Sequence, residues 1–126
     1  MNWQKYINEL VETEHVAEAA IIELKTGEVL ASTSGFNLLP SEAAGIAVLS
    51  RDYNHVFAQG VRVAGITYMG LKADATSIYG KRGTTGVTIA KSNHVVVVGT
   101  YTDGMKPESS EKAIEQLAAQ LIQSGH

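Results

Sequence analysis

The stretch HVVVVGTY, residues 94–101, decides the fold. Every position from Val95 to Val98 is apolar. Successive side chains of a strand point to opposite faces of a sheet, so both faces of this strand are expected to be buried. Helices must then cover both sides of the sheet. The apolar run is far too short to cross a bilayer.

Shorter segments before this stretch also have the composition of strands, because they are rich in valine, isoleucine, threonine and tyrosine. Short breaks such as Ala64–Gly65 and Ser92–Asn93 separate them. Closely spaced strands joined by short turns predict an antiparallel meander. The segments are VRV at 61–63, GITYMGLKA at 65–73, TSIYGKR at 76–82 and GVTIAK at 86–91.

Both ends of the chain have the periodicity of amphipathic helices. Asn2 is a candidate N-cap for the first helix, and Pro107 opens the last, where Glu108 and Glu111 suit the helix dipole. Gly125 is expected to stop the last helix. The first apolar stripe is Trp3, Tyr6, Ile7, Leu10 and Val11, and the last is Ala113, Ile114, Leu117, Ala118, Leu121 and Ile122.

Between these regions, Lys25–Thr26–Gly27 predicts a hairpin turn, and residues 40–52 predict a helix that opens at Pro40. The apolar residues at helical spacing in this helix are Ala43, Ala44, Ala47 and Val48. One further turn should end at Gly60. This order predicts a single α+β domain over residues 1–126, a central antiparallel sheet with the N- and C-terminal helices on one face and short helices on the other.

Composition and motifs exclude several classes of function. The net charge of -3 argues against general nucleic-acid binding. The chain has no cysteine, and its histidines lack ligand spacing, so we expect no metal and no cofactor. The order of residues in GKRGTTG, 80–86, is wrong for a phosphate-binding loop. The acidic residues are expected to be solvated, with no acid–base pair among them, so we expect no enzyme.

Two aromatic residues, Trp3 and Tyr6, stand on the first turn of the first helix. They could simply anchor that helix to the sheet. They could also form a shallow platform, because tryptophan and tyrosine bury large rigid faces and keep a polar tip for a ligand carbonyl. Such a platform suits proline-rich ligands, whose extended helix has free carbonyl groups.

The chain resembles profilins of protists, fungi and plants in NWQKYI at 2–7, SGF at 34–36, SIYGKRGTTGVTIAK at 77–91 and EQLAAQLIQSGH at 115–126. This resemblance implies the same fold and a cytoplasmic, cytoskeletal protein that binds monomeric actin and regulates its polymerisation and filament dynamics. It also implies proline-rich partners such as formins, phosphoinositide lipids as further ligands, and a monomer without enzymatic activity.

The resemblance implies an actin face built from the later strands and the start of the last helix. Its basic residues would meet acidic actin surface and steer the encounter. Some of the same side chains are candidates for phosphoinositide headgroups. The implied actin-binding residues are Lys72, Tyr79, Lys81, Arg82, Thr85, Gly86, Lys91 and Lys112, and the implied phosphoinositide-binding residues are Lys81, Arg82 and Lys91.

The implied proline-rich site departs from the family pattern. Trp3 and Tyr6 match the family's aromatic residues. The second tryptophan of the family falls at Leu30, the helical aromatic at Gln120 and the terminal aromatic at His126. Because binding energy concentrates in buried aromatic anchors, losing one commonly costs about 2 kcal/mol or more. We therefore predict an affinity for proline-rich peptides well below that of a typical profilin.

Two other classes also combine a central sheet with flanking helices. A roadblock- or longin-type scaffold for GTPases or trafficking complexes would form a stable dimer, and it leaves the aromatic first turn unexplained. A sensor of PAS type would need a pocket inside the sheet.

Overall fold

The computed structural model describes residues 2–126. Its helices are α1 (Trp3–Glu12), α2 (Pro40–Arg51), α3 (Val56–Gln59) and α4 (Pro107–Gln123), with a short 3₁₀ turn at Tyr53–His55. Its strands are β1 (Glu18–Glu23), β2 (Val29–Ser32), β3 (Val61–Val63), β4 (Ile66–Ala73), β5 (Ser77–Arg82), β6 (Thr85–Lys91) and β7 (Val95–Tyr101). Within residues 2–126, no helix is long and apolar enough to cross a membrane.

The seven strands form one antiparallel sheet in the order β2-β1-β7-β6-β5-β4-β3. The meander β3 to β7 follows chain order, and the β1–β2 hairpin joins it where β1 pairs with β7. This architecture confirms the predicted antiparallel meander and hairpin.

Strand β7 lies in the middle of the sheet, and every one of its residues is buried. Val95 and Val97 pack under α1 and α4, together with Ile114 of α4. Val96 and Val98 pack on the other side, under α2 and α3. The prediction of helices on both faces, with the terminal helices sharing one, is therefore confirmed.

The ends of α1 and α4 follow the predicted chemistry. The Lys5 amide donates to the Asn2 side-chain oxygen over 3.2 Å, which caps α1. At the end of α4, Gly125 has a φ of 88°. Such a left-handed residue suits glycine and turns the chain away from the helix axis.

The predicted faces of two helices need correction. In α2 the buried apolar residues are Ala43, Ile46 and Ala47, whereas Ala44 and Val48 are exposed. In α4 the prediction is wrong for Ile122, which is exposed because it lies past the edge of the face that meets the sheet. The spacing identified both helices correctly but included neighbours of the buried stripe.

The prediction that all acidic residues are solvated is wrong for Glu42, which is 5% exposed. Its carboxylate accepts hydrogen bonds from the amides of Leu39, Ala64 and Gly65 over 2.9, 3.0 and 2.8 Å. Arg62 lies 3.5 Å away. Buried charge is tolerated when such donors surround it. Glu42 therefore ties the start of α2 to the turn between β3 and β4.

Candidate functional site

The first candidate region is a groove between α1 and α4, called here the aromatic groove and formed by Trp3, Tyr6, Leu30, Gln120 and His126. Trp3 and Tyr6 are half-buried and pack against the core under α1 and α4. Their ring centroids lie 6.4 Å apart, with 47° between the planes. Both rings therefore anchor the helix and still present part of their surface to solvent.

His126 meets Trp3 at one end of the aromatic groove. The ring centroids are 5.3 Å apart and the planes stand at 72°, an edge-to-face arrangement. This is a favoured geometry for aromatic pairs. The structure thus brings the rings of Trp3, Tyr6 and His126 together.

Two further residues predicted for this site, Leu30 and Gln120, have no aromatic ring. Leu30 of β2 is half-buried and packs against the same core as Trp3 and Tyr6. Gln120 is exposed and shares a depression of about 170 Å³ with Tyr6, between α1 and α4. Leu30 and Gln120 therefore provide no aromatic stacking surface to a ligand.

The second candidate region lies on the α4 side of β4, β5 and β6 and is called here the charged face. It contains Lys72, Tyr79, Lys81 and Lys112. Tyr79 is paired with Lys72 across β4 and β5, and Lys81 is paired with Met69. Because strand side chains alternate, Tyr79 and Lys81 share one side of β5. Gly86, which pairs with Lys81 and lies under the Tyr101 ring, faces the same side.

A β-bulge at Leu71 brings Lys72 onto this side. The register between β4 and β5 shifts between Gly70 and Lys72, so Leu71 has no partner on β5. In a regular strand Lys72 would face the same side as Gly70, which contacts Val56 of α3. The extra residue re-aims Lys72 toward Tyr79, as bulges commonly do.

Hydrogen bonds and charges hold the middle of the charged face. The Tyr79 hydroxyl donates to Glu115 of α4 over 2.8 Å, and the Lys72 ammonium lies 4.6 Å from the centre of the Tyr79 ring. Lys72 also donates to Ser77 over 3.0 Å and lies 3.5 Å from Asp74. Burial, reinforced by the bond to Glu115, raises the pKa of Tyr79 well above its usual range.

The charged face also contains acidic and apolar groups that the sequence analysis missed. Glu108, Glu111 and Glu115 lie along α4, and burial, followed by the two neighbouring carboxylates, raises the pKa of Glu111. Their spacing along one helix could have revealed them. Met69 and Leu71 of β4 are 69% and 55% exposed. The strand period of two already places Leu71 on the same side as Met69, so both residues could have been found from the sequence.

Three residues predicted for the actin face lie on the opposite side of the sheet. Arg82 is adjacent to Lys81 on β5, so it points the other way, and its partner Thr85 does too. The Lys91 ammonium donates to the main-chain oxygen of Ser50 in α2 over 3.3 Å. Lys91 is also about 20 Å along β6 from Thr85. The structure therefore does not gather Lys81, Arg82 and Lys91 into one patch.

Within residues 2–126, no three histidine, aspartate or glutamate side chains lie in an arrangement that could hold a metal ion. The groups that converge are aromatic rings in one region, and lysines, carboxylates and a tyrosine in the other. Aromatic rings can stack on a ligand, and charged side chains can pair with opposite charges on a partner protein.

Comparisons with known proteins identify the family of this chain. A sequence model of the family described as Profilin matches residues 1–126. Profilin-1 of Dictyostelium discoideum is 36% identical over 126 residues, and Profilin-P of Physarum polycephalum is 39% identical over 127, each over 100% of both chains. The solved structure of Acanthamoeba castellanii profilin IB has a TM-score of 0.94 and 34% identity, covering 99% of this chain and 100% of that one. The chain belongs to the profilin family, a family of actin-binding proteins.

Proposed function

We propose that this protein binds monomeric actin through the charged face and thereby regulates actin polymerisation and filament dynamics. The observation that carries the proposal is the combination of family membership with a face that presents exposed lysines beside Tyr79 and Lys72, both of which contact Glu115 of α4. We infer a binding role without catalysis, exercised by a monomer in the cytoplasm and cytoskeleton. The scaffold of roadblock or longin type is not favoured, because the family match extends over the whole chain.

The charged face offers two kinds of contact to actin. Lys81 and Lys112 are exposed, and among the lysines of this face only Lys72 forms an ion pair within residues 2–126. Exposed lysines can steer an acidic partner and set orientation. Met69 and Leu71 supply apolar area next to them. Buried apolar anchors commonly contribute more affinity than charges at the rim.

Adjacent residues of β5 provide a matched test of which side of the sheet binds actin. Lys81→Glu reverses a charge on the α4 side, and Arg82→Glu reverses one on the opposite side. We expect Lys81→Glu to weaken binding of monomeric actin by about tenfold and Arg82→Glu to weaken it less, measured by native-gel or sedimentation titration at fixed salt. Equal losses, or a larger loss for Arg82→Glu, would contradict this assignment. No complex with the unaltered protein at tens of micromolar would reject actin binding.

We further propose that proline-rich segments, such as those of formins, bind in the aromatic groove with reduced affinity. Trp3, Tyr6 and His126 supply the rings, while Leu30 and Gln120 supply none. Trp3 is the only tryptophan, so its fluorescence reports this groove without background. Titration with an oligoproline peptide should give weak but measurable binding, and no binding would reject the proposed proline-rich site. Tight, saturable binding would refute the reduced affinity.

For phosphoinositides we propose weak, salt-sensitive binding, because Lys81, Arg82 and Lys91 are divided between two sides of the sheet. Flotation with vesicles containing phosphoinositide, compared with vesicles of equal charge made with phosphatidylserine, tests this. Retention at 0.5 M salt would contradict it.

A further inference from the structure

Ser92, in the turn between β6 and β7, is buried at 5% exposure and contacts the residue that closes the aromatic groove. Its hydroxyl donates to the main-chain oxygen of His126 over 3.0 Å. The amide of the exposed residue His94 donates to the same oxygen over 2.6 Å. Two donors from one turn therefore hold a residue that lies beyond the last residue of α4.

The end of α4 supplies a second restraint on His126. The amide of His126 donates to the Leu121 oxygen over 2.8 Å, and the amide of Gly125 donates to the Ile122 oxygen over 3.1 Å. These are the two bonds of a Schellman motif, with Gly125 as its left-handed residue. The motif turns His126 back toward the helix, and the donors from Ser92 and His94 hold its main-chain oxygen near the turn between β6 and β7.

We propose that Ser92 is a positioning residue for the aromatic groove, because it holds the His126 main chain so that the imidazole packs edge-on against Trp3. The proposal rests on the proposed proline-rich site for its consequence in binding. The positioning of His126 by Ser92 depends only on the contacts among Ser92, His126 and Trp3, whether or not a peptide binds. With its main chain held at both the amide and the carbonyl group, His126 loses little conformational freedom when a peptide binds.

Nuclear magnetic resonance tests the geometry without any ligand. The indole of Trp3 shifts the resonances of protons near its ring, so the His126 ring protons should show displaced shifts and cross-relaxation with Trp3. His126→Gln assigns these signals among the four histidines. Ser92→Ala should move the His126 shifts toward those of a free histidine. Ser124→Ala is the matched control, because its hydroxyl donates to the Gln120 oxygen at the same helix end and not to His126.

Ser92 also bonds to Val95, so Ser92→Ala could lower overall stability. Amide hydrogen exchange of the unaltered protein provides a measurement that needs no Ser92 variant. The His94 amide should exchange slowly despite its place in an exposed turn, and deletion of His126 should release it. Rapid exchange of this amide in the unaltered protein would overturn the proposal.

A double-mutant cycle then tests the consequence for binding. Ser92→Ala should weaken oligoproline binding by about two- to tenfold, the range expected for one lost hydrogen bond. In a His126→Ala background the same substitution should cost nothing further. Unchanged His126 shifts in a folded Ser92→Ala protein, or additive losses of affinity, would overturn the proposal. If the unaltered protein binds no proline peptide, the proposed function fails while the shifts still decide the positioning role.

Discussion

The aromatic groove and the charged face lie on the same side of the sheet and share α4, but they are held together differently. In the groove, Trp3 and Tyr6 are fixed by packing, and His126 is fixed through its main chain. In the charged face, side chains fix one another, because Tyr79, Lys72 and Glu115 are joined by hydrogen bonds and charge.

This difference explains why the groove can contain residues without aromatic rings while the fold persists. Gln120 is exposed and Leu30 is only half-buried at the edge of the core, so neither residue is fully enclosed by the protein. A substitution that removes the Tyr79 hydroxyl would deprive Glu115 of α4 of this hydrogen-bond donor. Ligand affinity in the groove should therefore respond to single substitutions with little change in stability, whereas in the charged face the two should change together.

The largest effect on stability is expected for a substitution of Gly99, which packs against α4, the helix that both regions share. A Cβ atom there would lie 2.3 Å from Cδ1 of Ile114, which is fully buried in α4. Gly99→Ala should lower the free energy of unfolding by about 2 to 3 kcal/mol through overpacking, measured by urea denaturation.

Gly45→Ala is the matched control for Gly99→Ala. Gly45 lies in α2, and no atom lies within 4 Å of its added Cβ. This substitution should stabilise the protein by about 0.5 to 1 kcal/mol. If the destabilised Gly99→Ala protein bound both actin and proline peptides normally, α4 would not couple the two regions.

The next largest effect is expected for Leu30→Trp, which restores a ring to the groove. Affinity for an oligoproline peptide should rise by about 2 kcal/mol, or roughly thirtyfold, measured by calorimetry because a second tryptophan complicates fluorescence. A glycine–serine peptide of equal length is the control ligand. The urea midpoint should change little, and no gain in affinity would show that Leu30 is not what weakens the site.

A smaller effect is expected for Tyr79→Phe in the charged face. The substitution keeps the ring under Lys72 and removes the donor to Glu115. Stability should fall by about 0.5 to 1.5 kcal/mol, and actin affinity should fall with it. Tyr53→Phe is the control, since Tyr53 packs beside the core under α2. A loss of actin affinity without any loss of stability would contradict the expected coupling.

The sequence predicted the fold well because apolar runs report burial directly. The valines of β7 required helices on both faces, and both are present. The alternation of Lys81 and Arg82 could also have been read from a strand period of two. The side of the sheet that Lys72 faces could not be predicted, because the bulge at Leu71 shifts the alternation of side chains by one residue. The burial of Glu42 could not be predicted either, because the amides that donate to its carboxylate, those of Ala64 and Gly65, lie in a turn that is distant in the sequence.

The smallest effect is expected at Asp74, in the turn between β4 and β5 at the edge of the charged face. Its carboxylate accepts from the amides of Ser77 and Thr76, each over 2.9 Å, and from the Thr76 hydroxyl over 2.8 Å. These bonds, the Ser77 amide first, hold the pKa of Asp74 far below its usual range. A depressed pKa in the folded state adds stability above the unfolded value of 3.8, and this stability is lost as the pH falls below it.

Asp74→Asn removes the charge and keeps an acceptor oxygen, so it isolates this contribution. At pH 7 the unaltered protein should have the higher urea midpoint, and the gap should begin to close below about pH 4 and narrow further as the pH falls toward the depressed pKa of Asp74. The effect is small because the Asp74 side chain is 49% exposed. Asp74→Ala also removes the acceptor, so its deficit relative to Asp74→Asn should persist at low pH. If the difference in urea midpoint between the unaltered protein and Asp74→Asn stayed constant with pH, the charge of Asp74 would not contribute to stability. Asp74 would then hold the turn through the arrangement of its hydrogen bonds alone.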